Sequence, residues 1–241
     1  MPSITFAIGD IHGCLAKLRR LLKACRAYAD DRPARFIALG DYVDRGPQSR
    51  GVVAFLMDWQ RSLPGALVCL RGNHEQMLLD AQNSKQKMAL WLLNGAEETL
   101  ASYAPSDFRI PEDHIAWMDA LPLSHDDGLR FFVHACIDVT KPLDRQSADV
   151  MLWARDPYLE KCDTTPCGRF IVHGHTPLGA GMPEQSSYRL NLDTGAVYGG
   201  PLTAAIFGDT RAEPLGFITD SDGSHHWLDR PLRAMGLRSG R

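Results

Sequence analysis

The sequence predicts an α/β protein in which two mixed β-sheets form a central sandwich flanked by helices. Over the first third of the chain, apolar strand-like runs alternate with amphipathic helical stretches, and after Leu129 short apolar runs recur between Gly, Pro and Asp turns. Alternating strands and helices favour parallel βαβ units. In such sheets ligands bind beyond the carboxyl ends of the strands, so we expect a functional site there.

Three strand-turn-helix units are predicted in the first third. In each helix the apolar residues recur at the spacing of one helical face. The predicted strands, each with the start of the helix that follows it, are Ile4–Ile8 with Cys14, Arg35–Leu39 with Ser49, and Ala66–Leu70 with Glu75.

The middle of the chain, residues 85–121, has a helical pattern and is interpreted as core and cap. Four later apolar runs are predicted to be strands of the second sheet: Leu129–Val133, Phe170–Val172, Leu190–Leu192 and Leu202–Phe207. Residues 140–168, with a helical patch at Val150–Trp153, separate two of these runs. We expect this segment to cover the site.

Composition indicates one soluble globular domain over residues 1–241, with residues 230–241 as a flexible tail. The chain has 44% apolar and 23% charged residues, which is ordinary for a domain with one sizeable core. A net charge of -3 gives no global attraction to nucleic acid or to anionic membranes. No signal-peptide or membrane-spanning run is apparent, so we expect a cytoplasmic protein.

The six cysteines are expected to be reduced thiols, because they lack the dense spacing of a small disulfide-rich domain. Cys162 and Cys167 have the spacing of half a zinc site or of a disulfide, but no second pair accompanies them. A plain loop is the simpler interpretation of that pair.

Three short motifs carry the chemistry of the sequence: Gly9-Asp10-Ile11-His12-Gly13, Gly40-Asp41-Tyr42-Val43-Asp44-Arg45-Gly46 and Arg71-Gly72-Asn73-His74-Glu75. Each follows a predicted strand, so their carboxylates, amide and imidazoles are expected to converge at strand ends. Two further histidines, His134 and His175, follow or lie within later apolar runs.

This set holds enough donors for two metal ions, and Asp41 has the lone pairs to bridge both. Carboxylate, amide and imidazole donors suit Mn²⁺, Fe or Zn²⁺ better than Ca²⁺, and the absence of thiolates argues against a structural zinc site. His173, two residues before His175, is interpreted as a packing or outer residue. Arg71 either serves the substrate or pairs with a carboxylate.

The motifs resemble those of the calcineurin-like metallophosphoesterases, and more narrowly those of bacterial serine/threonine phosphoprotein phosphatases. Gly-Asp-x-His-Gly, Gly-Asp-x-x-Asp-Arg-Gly and Gly-Asn-His-Glu match in order and spacing, followed by His134 and by Gly174-His175-Thr176. The resemblance covers nearly the whole chain, and an ordered set of motifs is a specific signal. One departure is Cys136, where the family usually has glycine after His-Ala or His-Gly.

The resemblance implies a metallophosphoesterase fold and two divalent ions. Mn²⁺ is the expected ion, with Fe and Zn²⁺ as alternatives. One ion would be bound by Asp10, His12 and Asp41, and the other by Asp41, Asn73, His134 and His175. A hydroxide bridging the ions would attack phosphorus directly.

The resemblance also implies catalytic roles for residues that bind no metal. His74 would be the general acid for a serine or threonine leaving group, and Asp44 would orient it. Arg45 and Arg155 would hold the phosphate oxygens, a task that suits the planar guanidinium. Tyr198 would line the substrate groove.

The predicted activity is therefore hydrolysis of phosphoserine and phosphothreonine in proteins. A symmetrical dinucleoside tetraphosphatase or a promiscuous small-molecule phosphoesterase is the alternative, although a phosphoanhydride leaving group needs less protonation than an alkoxide. A non-catalytic metal-binding module is a third reading, which the retained acid and arginines disfavour. The sequence leaves open the native metal, the physiological substrate, the acceptance of phosphotyrosine and the oligomeric state.

Overall fold

The computed structural model describes residues 3–221, which form two five-stranded sheets flanked by helices. The strands are β1 Ile4–Ile8, β2 Ala34–Ala38, β3 Leu67–Cys69, β4 Ser124–Asp126, β5 Arg130–Val133, β6 Phe170–His173, β7 Glu184–Gln185, β8 Arg189–Asn191, β9 Thr203–Phe207 and β10 Gly216–Thr219. The helices are α1 Leu15–Ala29, α2 Ser49–Ser62, α3 Asn73–Ala81, α4 Lys85–Leu92, α5 Ala96–Ser102, α6 Glu112–Asp119, α7 Ala148–Trp153 and α8 Tyr158–Thr164.

The first sheet has the strand order β10-β9-β1-β2-β3. Strands β1, β2 and β3 are parallel, with Ile8 opposite Ala38 and Ala38 opposite Cys69. Because these register pairs align the carboxyl ends of the three strands, the three sequence motifs that follow them begin at the same edge of the sheet.

The second sheet has the order β4-β5-β6-β8-β7, in which β5, β6 and β8 are parallel. His134 directly follows β5, and His175 lies two residues beyond β6. The carboxyl ends of these two strands therefore bring both histidines to one edge, in the way that the first sheet brings its motifs together.

Side-chain alternation along the strands divides the core into three layers. Ala7 of β1 faces a cluster shared with Phe132, Val172 and Phe207, which fills the space between the sheets. The neighbouring Phe6 and Ile8 of β1, along with other first-sheet residues, pack against helices α1 and α2 on the opposite face. Helices α7 and α8 pack on Phe131, Val133 and Ile171 at the outer face of the second sheet.

Two sequence-based assignments were wrong. The run Leu202–Phe207, predicted for the second sheet, forms β9 and pairs antiparallel with β1 in the first sheet. An apolar run predicts a strand but not its partner, which depends on how the sheets pack. Helix α3 begins at Asn73 rather than near Glu75, so Asn73 and His74 lie in its first turn.

Other predictions gain structural detail. Residues 140–168 contain two helices, α7 and α8, rather than one patch, and both pack on the second sheet, while Arg155 between them contacts His175 beyond the end of β6. All six cysteines are free thiols. Within residues 3–221, no helix has the length and apolar character needed to cross a bilayer. The predicted tail, residues 230–241, lies outside the described residues.

Candidate metal centre and acid pair

Asp41 lies at the centre of a buried cluster of imidazoles. Its Oδ2 is 3.5 Å from Nε2 of His12 and 3.9 Å from Nε2 of His74, and its Oδ1 is 3.3 Å from Nε2 of His134. Burial raises the pKa of Asp41, but the imidazoles of His134, His74 and His12 lower it by a larger amount. The net pKa of Asp41 is therefore below the ordinary value. The carboxylate is therefore ionised.

Asn73 and two histidines from the second sheet complete the other side of the cluster. The amide oxygen of Asn73 is 2.8 Å from Nε2 of His134 and 2.9 Å from Nδ1 of His175. The other ring nitrogen of His175, Nε2, is buried and has no hydrogen-bond partner within residues 3–221. A buried ring nitrogen without a protein partner is available to bind a ligand.

The histidines carry the protonation state that metal ligation requires. Nδ1 of His12 donates to the carbonyl of Val43 at 2.7 Å, and Nδ1 of His134 donates to the carbonyl of Leu39 at 2.8 Å. With those tautomers each Nε2 carries a lone pair and faces the cluster. Burial lowers the pKa of His12 to about 3 and that of His175 to about 2, which keeps both rings neutral.

Asp10 is buried beside this cluster. Its carboxylate accepts the backbone N–H of His175 at 3.2 Å and 3.0 Å through its two oxygens. Burial raises the pKa of Asp10, and the nearby carboxylates of Asp193 and Asp41 raise it further. Repulsion among carboxylates held this close is relieved by a cation between them.

These donors fit divalent metal ions. In the described chain, two sets of three side chains place their ligand atoms within 4.8 Å of one another: His12, Asp41 and His74, and Asp41, His134 and His175. Asp41 belongs to both sets. Lone pairs of His134 and Asn73 face each other without a proton between them, an arrangement that a bound cation stabilises.

His74 and Asp44 form a hydrogen-bonded pair next to the cluster. Nδ1 of His74 donates to Oδ2 of Asp44 at 2.6 Å, and the Asp44 residue is fully buried. Burial lowers the pKa of His74, but the carboxylates of Asp41 and Asp44 outweigh that effect and raise the pKa above its ordinary value. The protonated imidazole needed for an acid is thereby favoured.

The two predicted arginines lie on different sides of the cluster. Nη1 of Arg45 is 2.6 Å from Nε2 of His12, and its guanidinium carbon lies 5.7 Å from the centre of the Tyr198 ring. Nη2 of Arg155 donates to the backbone carbonyl of His175 at 3.2 Å. The Arg155 side chain and the Tyr198 ring are both exposed.

The backbone at the site adopts left-handed conformations that side chains rarely take. His12, Asp41, Asp44, Arg45 and His175 have φ values of 42°, 54°, 70°, 67° and 68°. Each such residue stores on the order of 1–3 kcal/mol of strain, which persists only when its surroundings hold it. Gly72 permits the close approach of Asp41, since a Cβ there would lie 2.2 Å from Oδ1 of Asp41.

Sequence reasoning missed several residues that support the site. The buried carboxylate of Glu75 accepts the backbone N–H groups of Gly72 and Asp41 at 2.9 Å each, and that of Tyr42 at 2.7 Å. Its position three residues after Gly72, at the start of a helix, was the available signal. Asp193 was missed although it carried the same signal as Asp10 and Asp41, because it directly follows the predicted strand Leu190–Leu192.

Two residues whose roles the sequence did not decide, His173 and Arg71, lie outside the candidate metal-ligand sets. His173 is fully buried, and its Nε2 lies 3.2 Å from Nη1 of Arg189, away from the ligand sets. Arg71 pairs with a carboxylate, since its Nη2 lies 3.5 Å from Oδ1 of Asp119, and its Nη1 donates to the side chain of Gln76 at 2.9 Å. Neither joins the metal cluster.

The two-sheet sandwich with carboxylate, amide and imidazole donors at its strand ends defines a metallophosphoesterase. The family model for calcineurin-like phosphoesterases matches residues 5–210. The chain therefore belongs to the calcineurin-like phosphoesterase family.

Relatives within the family carry two kinds of name. The chain is 32% identical over 214 residues to serine/threonine-protein phosphatase 1 of Salmonella typhimurium, covering 83% of this chain and 90% of that protein. It is 29% identical over 224 residues to an asymmetrical bis(5'-nucleosyl)-tetraphosphatase, PrpE, of Bacillus anthracis, covering 82% and 87%.

Solved structures share the fold. A protein provisionally named a diadenosine tetraphosphatase superposes with a TM-score of 0.63 at 24% identity, over 90% of this chain and 92% of that one. A serine/threonine phosphatase from Saccharomyces cerevisiae superposes with a TM-score of 0.59 at 18% identity, over 85% and 72%. At these identities the likeness concerns the fold.

Proposed function

We propose that this chain hydrolyses phosphoserine and phosphothreonine monoesters in proteins with the help of two divalent metal ions. The observation that carries the proposal is the buried pair of His74 and Asp44, 2.6 Å apart. An alkoxide leaves a phosphomonoester slowly unless it receives a proton, and a positioned acid contributes about 10²- to 10⁴-fold. His74 stands beside the metal cluster, where such a leaving group would depart.

Two ion sites would share Asp41. The proposed ligands of the first are Asp10, His12 and Asp41, and those of the second are Asp41, Asn73, His134 and His175. Bound ions would supply Lewis-acid charge and a water of lowered pKa. Mn²⁺ is the proposed ion, with Fe and Zn²⁺ as alternatives, because the donors are oxygens and imidazoles without a thiolate.

His74 would deliver its proton from Nε2. Asp44 accepts the hydrogen bond from Nδ1 at 2.6 Å, so the ring orientation is fixed and Nε2 is the nitrogen left to face the cluster. Nε2 lies 3.9 Å from Oδ2 of Asp41, a distance that supports an acid at the border of the proposed first ion site. Asp44 would also stabilise the imidazolium before the proton is transferred.

Arg45 and Arg155 would bind the phosphate oxygens from two sides. Arg45 contacts His12 of the first site, whereas Arg155 contacts the backbone of His175 in the second. A guanidinium binds phosphate through two parallel hydrogen bonds, which orients the group as well as neutralising its charge. Tyr198, whose ring is 63% exposed next to Arg45, would line the groove for the substrate.

The phosphoprotein substrate is favoured over a nucleotide by the acid pair and by the relative named as a serine/threonine phosphatase. A dinucleoside tetraphosphatase is the second candidate, supported by the relatives that carry that name. Cleavage of a phosphoanhydride releases a nucleotide phosphate, a better leaving group that depends less on His74. Dependence on the leaving group therefore distinguishes the two.

The deciding experiment is a parallel assay of the Mn²⁺-loaded protein on a phosphoserine peptide, a phosphotyrosine peptide and diadenosine tetraphosphate. We expect phosphate release from the phosphoserine peptide, and none from an Asp41→Asn variant purified in the same way. Turnover of diadenosine tetraphosphate alone would contradict the proposal and identify the protein as a dinucleoside tetraphosphatase. Failure to turn over any substrate would favour a metal-binding module.

A further inference from the structure

Helices α4 and α5, with the turn between them, contact the Asp44–Arg45 turn through three residues. Trp91, Gly95 and Thr99 are spaced four residues apart. Trp91 and Thr99 contact the side chain of Asp44, and Gly95 contacts the backbone of Arg45. One helix pair therefore supports both the proposed acid pair and one proposed phosphate ligand.

The carboxylate of Asp44 is saturated by three side chains. Its Oδ1 accepts from Oγ1 of Thr99 at 2.7 Å and from Nε1 of Trp91 at 3.0 Å. Its Oδ2 accepts from Nε1 of Trp91 at 2.8 Å and from Nδ1 of His74 at 2.6 Å. Because Trp91 spans both oxygens, it fixes the plane of the carboxylate and hence the direction of the bond to His74.

The backbone of the same turn is held as well. The N–H of Asp44 donates to Oγ1 of Thr99 at 2.7 Å, and the N–H of Arg45 donates to the carbonyl of Gly95 at 2.9 Å. Gly95 has a φ of +97°, and a Cβ there would lie 2.7 Å from Cγ of Arg45 and 3.0 Å from its backbone nitrogen. Only glycine lets the α4–α5 turn come this close to Arg45.

We propose that Trp91 and Thr99 are positioning residues for proton delivery by His74, acting through Asp44, and that Gly95 is a positioning residue for phosphate binding by Arg45. The inference rests on the proposed roles of His74 and Arg45. It separates two functions of one helix pair: the side chains of Trp91 and Thr99 serve the leaving group, and the small size of Gly95 serves the phosphate.

The first test uses a series of simple phosphate monoesters, from 4-nitrophenyl phosphate through phenyl phosphate to an alkyl phosphate. Trp91→Phe removes the N–H donor but keeps most of the ring. We expect turnover of the alkyl ester to fall about tenfold while that of 4-nitrophenyl phosphate stays near the wild-type value, because only the poor leaving group needs the acid. Thr99→Val, similar in shape, is the second variant and should shift turnover in the same direction.

The matched control is Trp59→Phe. Nε1 of Trp59 is buried but has no hydrogen-bond partner in the part of the chain that the structure describes, so this substitution removes a tryptophan N–H without affecting Asp44. A purely structural role for Trp91 would lower turnover of every ester by the same factor. The ratio of alkyl to nitrophenyl turnover is the readout that a structural role leaves unchanged.

The second test is Gly95→Ala. The added methyl group would displace Arg45, so we expect KM for all esters and the inhibition constant of inorganic phosphate to rise about tenfold, the scale of one charge-assisted contact. The dependence of turnover on the leaving group should remain that of the wild type. Trp91→Phe should instead change the dependence of turnover on the leaving group and leave inhibition by inorganic phosphate near the wild-type value.

Equal losses across the ester series in both Trp91→Phe and Thr99→Val would overturn the role in proton delivery. Unchanged phosphate inhibition in Gly95→Ala would overturn the role in phosphate binding. A wild-type protein that hydrolyses simple esters but not the phosphoserine peptide would contradict the proposed function alone, since the ester series still tests the positioning residues. A wild-type protein that hydrolyses no monoester would contradict both.

Discussion

The metal cluster and the acid pair lie side by side, yet their polar atoms are satisfied in different ways. In the cluster, Asp41 lies 3.5 Å and 3.3 Å from the imidazoles of His12 and His134, and Nε2 of His175 has no hydrogen-bond partner among the described residues. In the acid pair, every oxygen of Asp44 accepts hydrogen bonds from His74, Trp91 or Thr99. The cluster presents donors that a divalent cation would bind, whereas the acid pair is satisfied by side chains of the protein.

Under the roles proposed above, this difference predicts that metal binding and proton delivery can be disrupted separately. Removal of the ions should affect the cluster without disturbing Asp44. Substitution of the acid pair should affect chemistry without emptying the ion sites. The four predictions below test that separation.

The largest effect is expected from chelation. Removal of divalent ions should abolish phosphatase activity, and Mn²⁺ should restore it. Because the ions bind the folded state, Mn²⁺ at about 100 times its Kd should stabilise the protein by about 2.7 kcal/mol, measurable as a rise in the thermal midpoint. Asp41→Asn, which alters the shared ligand, is the control and should lose most of that rise. Full activity of metal-free protein would contradict a metal-dependent mechanism.

His74→Asn should lower turnover of an alkyl phosphate by about 10² to 10⁴ and that of 4-nitrophenyl phosphate far less, because the better leaving group departs without a proton. Metal content, measured by elemental analysis, should remain two ions per chain. His74 shares a ligand set with His12 and Asp41. Loss of one ion in this variant would therefore show that His74 binds metal and that metal binding and proton delivery are not separable.

Arg45→Ala should weaken inhibition by inorganic phosphate by about 10- to 100-fold, as expected for loss of charge-assisted hydrogen bonds. Metal content should not change. Arg45→Lys is the informative companion, because it keeps the charge but loses the planar fork and should recover only part of the affinity. Unaltered inhibition by inorganic phosphate in Arg45→Ala would show that Arg45 does not bind the phosphate group.

Arg155→Ala should have the smallest effect, about a two- to fivefold rise in KM, since an exposed side chain in solvent contributes little. Arg145→Ala, another exposed arginine of the same segment, is the control and should match the wild type. A loss as large as that of Arg45→Ala would mean that substrate binding orders Arg155 more than its contacts with His175 and Thr176 indicate.

Local signals predicted much of the fold. Strands β1 to β3 and the helices after them were predicted within a few residues, because strand and helix periodicities depend on neighbouring residues. The pairing of β9 with β1 was missed, since the two strands are far apart in sequence and nothing in an apolar run identifies its partner. The contacts of Trp91 and Thr99 with Asp44, 47 and 55 residues away, were missed for the same reason.

Local sequence patterns were sufficient to place three of the donors at strand ends. Asp10, Asp41 and Asn73 each follow a strand of the first sheet within four residues, so their convergence follows from a parallel sheet. The motif resemblance had already implied His134 and His175 as further donors, but their approach to the first-sheet donors depends on the tertiary structure. His134 and His175 reach Asn73 across 61 and 102 residues, because the second sheet packs against the first at the matching edge, and that packing depends on side-chain shape throughout the core rather than on any local pattern.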